Sequence, residues 1–191
     1  LQVPLSGLGG DERGVVEPWF THPSLDEVRT WDVRGKTVLE WGGGHSTIWW
    51  ARRGATVFTI ETDLQWIGWI RSRLGAQHHQ PGFLGPVALF YRSGDGPVEE
   101  YVRIPDACRP DIVVVDGCHR VECLEAALHL PRPLTLIVDN WQQDPVFVSE
   151  QAEEMIRPYA GCGKVYVQPD HTNHEGRPWA TAIWHLVAEG V

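Results

Sequence analysis

The residues best able to do chemistry in this sequence close two short apolar runs. Val115-Asp116-Gly117-Cys118-His119-Arg120 ends one of them, and Val138-Asp139-Asn140-Trp141 ends the next. If the runs are neighbouring strands, their axes lie roughly 4.8 Å apart, and both aspartates reach the same rim. Two unpaired carboxylates there would repel, raising the pKa of one of them. A hard divalent cation removes that conflict, and Asp116, Asp139 and Asn140 carry oxygens of the kind Mg²⁺ or Mn²⁺ prefers. Imidazole is the side chain that ordinarily titrates near neutrality, so His119 is the candidate to take a proton from a reacting hydroxyl. The plainer alternative gives the acids to sheet-edge hydrogen bonding and His119 to the start of a helix.

A second group of residues is built for approach, not for proton transfer. The run Glu40-Trp41-Gly42-Gly43-Gly44-His45-Ser46-Thr47 follows an apolar stretch. Three glycines in succession let the backbone turn sharply and come close to a ligand without obstruction by Cβ. Ser46 or Thr47 then caps the next helix. A dinucleotide fingerprint needs its third glycine where Thr47 stands, which argues against NAD. Glu61 ends the next apolar run, where a carboxylate can accept from ribose hydroxyls, although dinucleotide folds use the same device. Asp95, in Ser93-Gly94-Asp95-Gly96, is either a ligand-side acid or a plain Asp-Gly turn.

The elements that must position these residues alternate regularly. Strand-like runs are predicted at Thr37–Trp41, Thr56–Glu61, Val87–Tyr91, Asp111–Asp116 and Leu134–Asp139, each short and apolar as in parallel strands buried on both faces. Helical segments are predicted at Ser46–Arg53, Leu64–Leu74 and Val121–Leu130, with a short one within Val98–Ile104. This alternation implies right-handed crossovers and an open, doubly wound α/β sheet. A helix over Val148–Tyr159 precedes two further strands, Lys164–Gln168 and Trp179–Val187. Their short polar connection makes them antiparallel, because a parallel crossover needs a dozen or more residues. Residues 1–35 are expected to form an arm with a short helix capped by Ser24, and residues 36–191 a single domain.

With those residues in place, the sequence resembles the class I S-adenosylmethionine-dependent methyltransferases. Their first motif has the form E-x-G-x-G-x-S-T, and a parallel sheet ending in an antiparallel hairpin is their layout. The resemblance implies a Rossmann-like domain that binds S-adenosylmethionine through Glu40, Gly42, Gly44, Ser46, Glu61, Asp95 and Asp116. The strand-Asp, turn, strand-Asp-Asn arrangement further resembles the catechol and caffeoyl-CoA O-methyltransferases and related bacterial small-molecule enzymes. That implies a metal held by Asp116, Asp139 and Asn140. It also implies a catalytic role for His119, which stands where the first two groups place a lysine and where a bacterial group shows D-G-x-H. The resemblance spans roughly residues 38–141.

Composition limits the function classes. The 191 residues are 42% hydrophobic and carry a net charge of -9, which disfavours a protein that grips nucleic acid through phosphate neutralisation. Asp-Gly-Cys-His after the fourth strand also differs from the Asn/Asp-Pro-Pro-aromatic motif of adenine-directed N-methylases. Cys108, Cys118, Cys123 and Cys162 show no CxxC or zinc-like spacing, as expected for free thiols in the cytoplasm. No apolar run approaches a membrane span, and no signal-peptide pattern opens the sequence.

The expected activity is therefore methylation of a small-molecule hydroxyl assisted by Mg²⁺ or Mn²⁺, with a homodimer as the candidate assembly. The alternatives are a metal-independent methyltransferase of a nitrogen or macromolecular acceptor, and an inactive cofactor-binding protein. His171, Asn173, His174 and Glu175 are expected in a substrate-side lid. Trp141 and Trp179 are either an aromatic wall or core.

Overall fold

The computed structural model describes residues 16–75, 84–141, 150–172 and 176–187. Among these residues the sheet has seven strands: β1 (Thr37–Trp41), β2 (Thr56–Glu61), β3 (Val87–Tyr91), β4 (Ile112–Val115), β5 (Leu134–Asp139), β6 (Gly163–Thr172) and β7 (Pro178–Leu186). They lie in the order β3-β2-β1-β4-β5-β7-β6. The first five are parallel, and β7 runs antiparallel to both β5 and β6. Strand order reverses between β1 and β4, which opens a crevice beyond their carboxyl ends.

Burial follows position in the sheet. Central β4 is buried at every residue, whereas edge strand β6 alternates and then becomes exposed. Alternate residues of the central strands feed two cores, because successive strand side chains point to opposite faces. Leu39, Trp41, Val113, Val115, Leu136 and Val138 join one core. Val38, Val57, Val114, Ile137 and Ile183 join the other.

Among the described residues, six α-helices accompany the sheet: α1 (His22–Arg29), α2 (His45–Arg52), α3 (Leu64–Gly75), α4 (Val98–Val102), α5 (Arg120–Leu128) and α6 (Glu150–Ile156). Trp49 and Trp50 of α2 pack with Leu25 and Val28 of α1 in the second core. Cys123, Leu124 and Ala127 of α5 enter the first.

The sequence-based boundaries differ from these in a few places. Helix α1 begins at His22 with Thr21 as its N-cap, so Ser24 lies inside it and does not cap it. Pro23 explains the earlier start, since proline suits the first helical turn. The Ser24 hydroxyl donates back to the Thr21 carbonyl at 2.8 Å. Strand β4 is a residue shorter at each end, although the N–H groups of Asp111 and Asp116 still bond the Thr37 and Trp41 carbonyls of β1. The Asp111 carboxylate accepts from the Thr37 N–H at 2.9 Å and from the Lys36 ammonium at 3.1 Å. Strand β6 runs on to Thr172, with an irregularity between Gln168 and Thr172. In place of helix to Tyr159, α6 gives way to a 3₁₀ helix over Arg157–Cys162.

Residues 1–15 of the expected arm, and Asn173, His174 and Glu175 of the expected lid, lie outside the described residues. The four cysteines are free. Among the described residues, no helix is long and apolar enough to cross a membrane.

Leu136 sits fully buried in β5, between β4 and β7. Leu136→Ala is expected to destabilise the chain by about 2–5 kcal/mol, the usual cost of lost transfer energy plus a residual cavity. Urea unfolding should show a lower midpoint at unchanged slope.

Candidate functional site

The turn after β1 and the turn after β4 lie backbone to backbone. A Cβ on Gly42 would stand 2.6 Å from the Gly117 nitrogen, and Gly42 has φ +91°. A side chain is thus excluded twice there, by contact and by backbone conformation. The Gly42 N–H donates to the Ile60 carbonyl at 2.9 Å, and the Asp116 N–H to the Trp41 carbonyl at 2.8 Å. These bonds tie the start of the glycine loop to the ends of β2 and β4.

Beyond the loop lies a cleft of about 510 Å³. Gly42, Gly43, Gly44, His45 and Ser46 form one side, with Glu61, Thr62 and Asp63 at the end of β2. Asp116, Gly117, Cys118, Arg120 and Asn140 form the other side, and Trp19 and Trp66 stand at the aromatic end.

Glu61 is buried and ordered by the loop itself. One carboxylate oxygen accepts from the Gly43 N–H at 2.6 Å. The other accepts from the N–H groups of Thr62 and Asp63 at 2.7 and 2.8 Å. Because a carboxylate oxygen has two lone pairs, the oxygen facing Gly43 can accept a further hydroxyl.

Glu40 occupies a different place from the one the motif implied. It lies fully buried beneath the loop and does not border the cleft. Its Oε2 accepts from the Thr47 hydroxyl at 2.7 Å and the Thr59 hydroxyl at 3.1 Å, tying α2 to β1 and β2. Burial pushes its pKa up to about 7, with the Thr47, Ser46 and Thr59 hydrogen bonds working against the rise.

Asp95 is also outside the cleft wall. It sits exposed in a turn that the Gly96 N–H closes onto the Ser93 carbonyl.

His119 takes the left-handed conformation at the N-cap of α5. Its Nε2 lies 3.0 Å from the Gly94 carbonyl, and its ring packs 5.4 Å from the Tyr101 ring. A carbonyl partner requires Nε2 to carry the proton, which leaves Nδ1 as the ring's acceptor. Cys118 and Arg120 border the cleft, whereas His119 between them turns toward the loop after β3.

The two aspartates and Asn140 do meet at one rim, but a guanidinium stands among them. Arg120 Nη2 donates to Asp116 Oδ1 at 3.1 Å and to Asn140 Oδ1 at 3.0 Å. Its Nε donates to the Gly117 carbonyl at 2.9 Å, and Nη1 donates to the Asp139 carbonyl. The Asp139 carboxylate does not border the cleft and accepts from the Thr181 hydroxyl at 2.5 Å. Burial, and then the charge of Asp116, pushes the Asp139 pKa up to about 7. Burial also raises Asp116, and Arg120 works against that rise.

Mg²⁺ requires oxygens at about 2.0–2.1 Å in near-octahedral order. A dication that close to Asp116 and Asn140 would press on the Arg120 guanidinium, and Asp139 faces Thr181 instead. The expected metal site therefore does not fit the residues as they are arranged. No cluster of three or more His, Cys, Asp or Glu residues suited to a metal occurs among the described residues.

Two features of the site escaped the sequence reading. Arg120 opens a helix, where a cation opposes the dipole unless acids surround it; that misfit, four residues after Asp116, was the available signal. The aromatic end is formed by Trp19 and Trp66, whose rings lie 6.0 Å apart, with His45 stacked on Trp69 at 4.8 Å. Trp66 and Trp69 are spaced for one helix face, but nothing in the sequence tied that face to the glycine loop. Trp141 proves to be core, edge-on to Trp184 at 4.9 Å. Trp179 is half-buried, beside His171.

No protein-family model and no curated protein sequence matches the chain. Solved structures do. A methyltransferase-like protein from Silicibacter pomeroyi shares 23% identity over 91% of each chain, with a TM-score of 0.57. A candidate O-methyltransferase from Klebsiella pneumoniae shares 22% over 96% of this chain and 94% of its own, at 0.61. The O-methyltransferase TomG of Streptomyces achromogenes, involved in tomaymycin synthesis and solved with S-adenosylmethionine, shares 21% over 80% of this chain and 74% of its own, at 0.54. Other similar structures are named for methylation of rRNA or precorrin. The fold is that of the class I methyltransferases.

Glu40 gives stability a pH dependence of defined sign. Its pKa is about 7 folded against 4.5 unfolded. The folded state holds the proton longer, so stability falls as pH rises from 4.5 to about 7, by about 3 kcal/mol for this group. Glu40→Gln keeps an acceptor for Thr47 and Thr59 and should flatten that part of the profile. Denaturant midpoints measured from pH 4.5 to 8 would contradict this if the variant kept the parent slope.

Proposed function

We propose that the chain is an S-adenosylmethionine-dependent methyltransferase that transfers the methyl group to a hydroxyl of a small molecule. The observation that carries the reading is the Glu61 carboxylate, held at the floor of the cleft by the same loop that clears space for a ligand. One Glu61 oxygen keeps a lone pair for a ribose hydroxyl. At Gly44 the loop comes up against the aromatic end of the cleft, a Cβ placed there lying in van der Waals contact with the Trp66 ring at 3.6 Å. When bound, the cofactor supplies an electrophilic methyl on a sulfonium for in-line displacement by the acceptor.

The chain's own part is to bind and align. Glu61 and the glycine loop fix one end of the cleft, Trp19 and Trp66 wall it, and Asp116 and Asn140 face it from the other strand ends. A concave cleft suits a small acceptor. The net charge of -9 weighs against an RNA acceptor, despite the similar structures named for rRNA. The O-methyltransferases among the similar structures support an oxygen acceptor.

Titration calorimetry with S-adenosylmethionine tests the cofactor. Binding to the parent chain is expected, with a loss of about 10–100-fold in Glu61→Ala, the weight of a hydrogen bond to a charged group. No binding by the parent would overturn the reading. Methyl transfer to a panel of phenols and sugars, set against rRNA, then tests the acceptor class.

His119 as base would act through Nδ1, but its Nε2–H is committed to Gly94. We infer a positioning role, in which it holds the loop after β3. His119→Ala is then expected to weaken cofactor binding more than it slows turnover. If turnover instead dropped by about two to four orders of magnitude, the span typical of general acid–base catalysis, at unchanged cofactor affinity, His119 would be the base.

A further inference from the structure

We infer that Arg120 occupies the cation position at the rim of β4 and β5, so that the methyl transfer proposed above proceeds without a divalent metal. The inference rests on that functional reading for its reaction, but its geometry is independent of it. One nitrogen, Nη2, lies 3.1 Å from Asp116 Oδ1 and 3.0 Å from Asn140 Oδ1. It therefore bridges two of the three oxygens that a cation would have to share.

The rest of the guanidinium is fixed as firmly. Its Nε is bonded to the Gly117 carbonyl at 2.9 Å, Nη1 to the Asp139 carbonyl, and Nη2 also to the Asp116 carbonyl at 3.0 Å. The side chain is only 8% exposed. A planar fork spread over two turns cannot swing aside for an ion without breaking its bonds to the Asp116, Gly117 and Asp139 carbonyls.

Asp139 completes the argument. Its carboxylate is buried, accepts from the Thr181 hydroxyl and does not border the cleft. A metal would need that carboxylate rotated toward the cleft and the arginine displaced. Electrostatically the exchange is simple: a fixed single positive charge near Asp116 and Asp139 replaces a mobile double one. Arg120 acts as a positioning residue, setting the orientation of Asp116 and Asn140 where they border the cleft. It also joins the turns after β4 and β5.

Electron paramagnetic resonance of Mn²⁺ added to the purified full chain tests this without cofactor or activity. With the parent chain, the free-ion spectrum is expected to stay undiminished, and treatment with a chelator should leave S-adenosylmethionine affinity unchanged in calorimetry. Arg120→Ala removes the resident charge and exposes the Asp116 and Asn140 oxygens. If folded by circular dichroism, it should bind Mn²⁺ at least about tenfold more tightly than the parent, a difference of about 1.4 kcal/mol.

Stoichiometric Mn²⁺ capture by the parent chain, weakened in Asp116→Asn, would overturn the inference. A folded Arg120→Ala that captures no more Mn²⁺ than the parent would do the same. If Arg120→Ala does not fold, the parent titration and its Asp116→Asn control decide alone. Failure of the chain to bind S-adenosylmethionine would sink the proposed function but leave the resonance result standing, so the two failures are distinguishable.

Discussion

Gly42 and Gly117 touch through their backbones, with no room for a Cβ on the first and the Tyr101 hydroxyl closing the space beside the second. This contact joins the two strands between which the order of the sheet reverses. The turn after β1 can lie against Gly117 only because Gly42 has no Cβ and takes a positive φ, and the cleft opens beyond that contact. Glu61 then meets the Gly43 N–H from the end of β2, and Asp116 enters the cleft from the end of β4. A substitution at either glycine would therefore disturb both sides of the site together.

A second constraint works below the loop. Glu40 is fully buried, and only hydroxyls reach its Oε2. The acidic residue in the first motif thus serves the loop's support and not its ligand face. That division of labour, with Glu40 beneath and Glu61 beside, explains why two carboxylates so close to one turn differ in their surroundings. Glu61 gathers backbone N–H groups, whereas Glu40 gathers Thr47 and Thr59 and keeps its proton to higher pH.

Much of this was legible in the sequence, because the signals were local. Strands β1, β2, β3 and β5 coincide with the apolar runs read from the sequence; in the inner strands burial on both faces demands such runs, and edge strand β3 is apolar although only half-buried. The glycine loop and Glu61 were legible for the same reason: each is defined by its own few residues. Arg120 was not, because its meaning depends on where Asn140 and the Asp139 carbonyl fall, about twenty residues away on another strand. The orientation of Asp139 depends on Thr181, and the sequence offered no link between them. Trp19 and Trp66 were invisible as a wall, because one precedes the first helix and the other lies on α3. The aspartates, read as ligands awaiting an ion, were placed at the right rim, but the chain had already supplied the cation.

The N-terminal segment that carries Trp19 is anchored by the far end of the chain. The Thr21 N–H donates to the Thr181 hydroxyl, and the His22 N–H to the side-chain carbonyl oxygen of Gln168, bonds that span 160 and 146 residues. Thr181 belongs to β7, the strand that slots between β5 and β6 and supplies the hydroxyl for Asp139. During synthesis, a chain still tethered to the ribosome at that strand has its glycine loop but neither the anchor for Trp19 nor the partner of Asp139. Contacts of such long separation form late. The cleft is thus finished only once β7 has joined the sheet between β5 and β6.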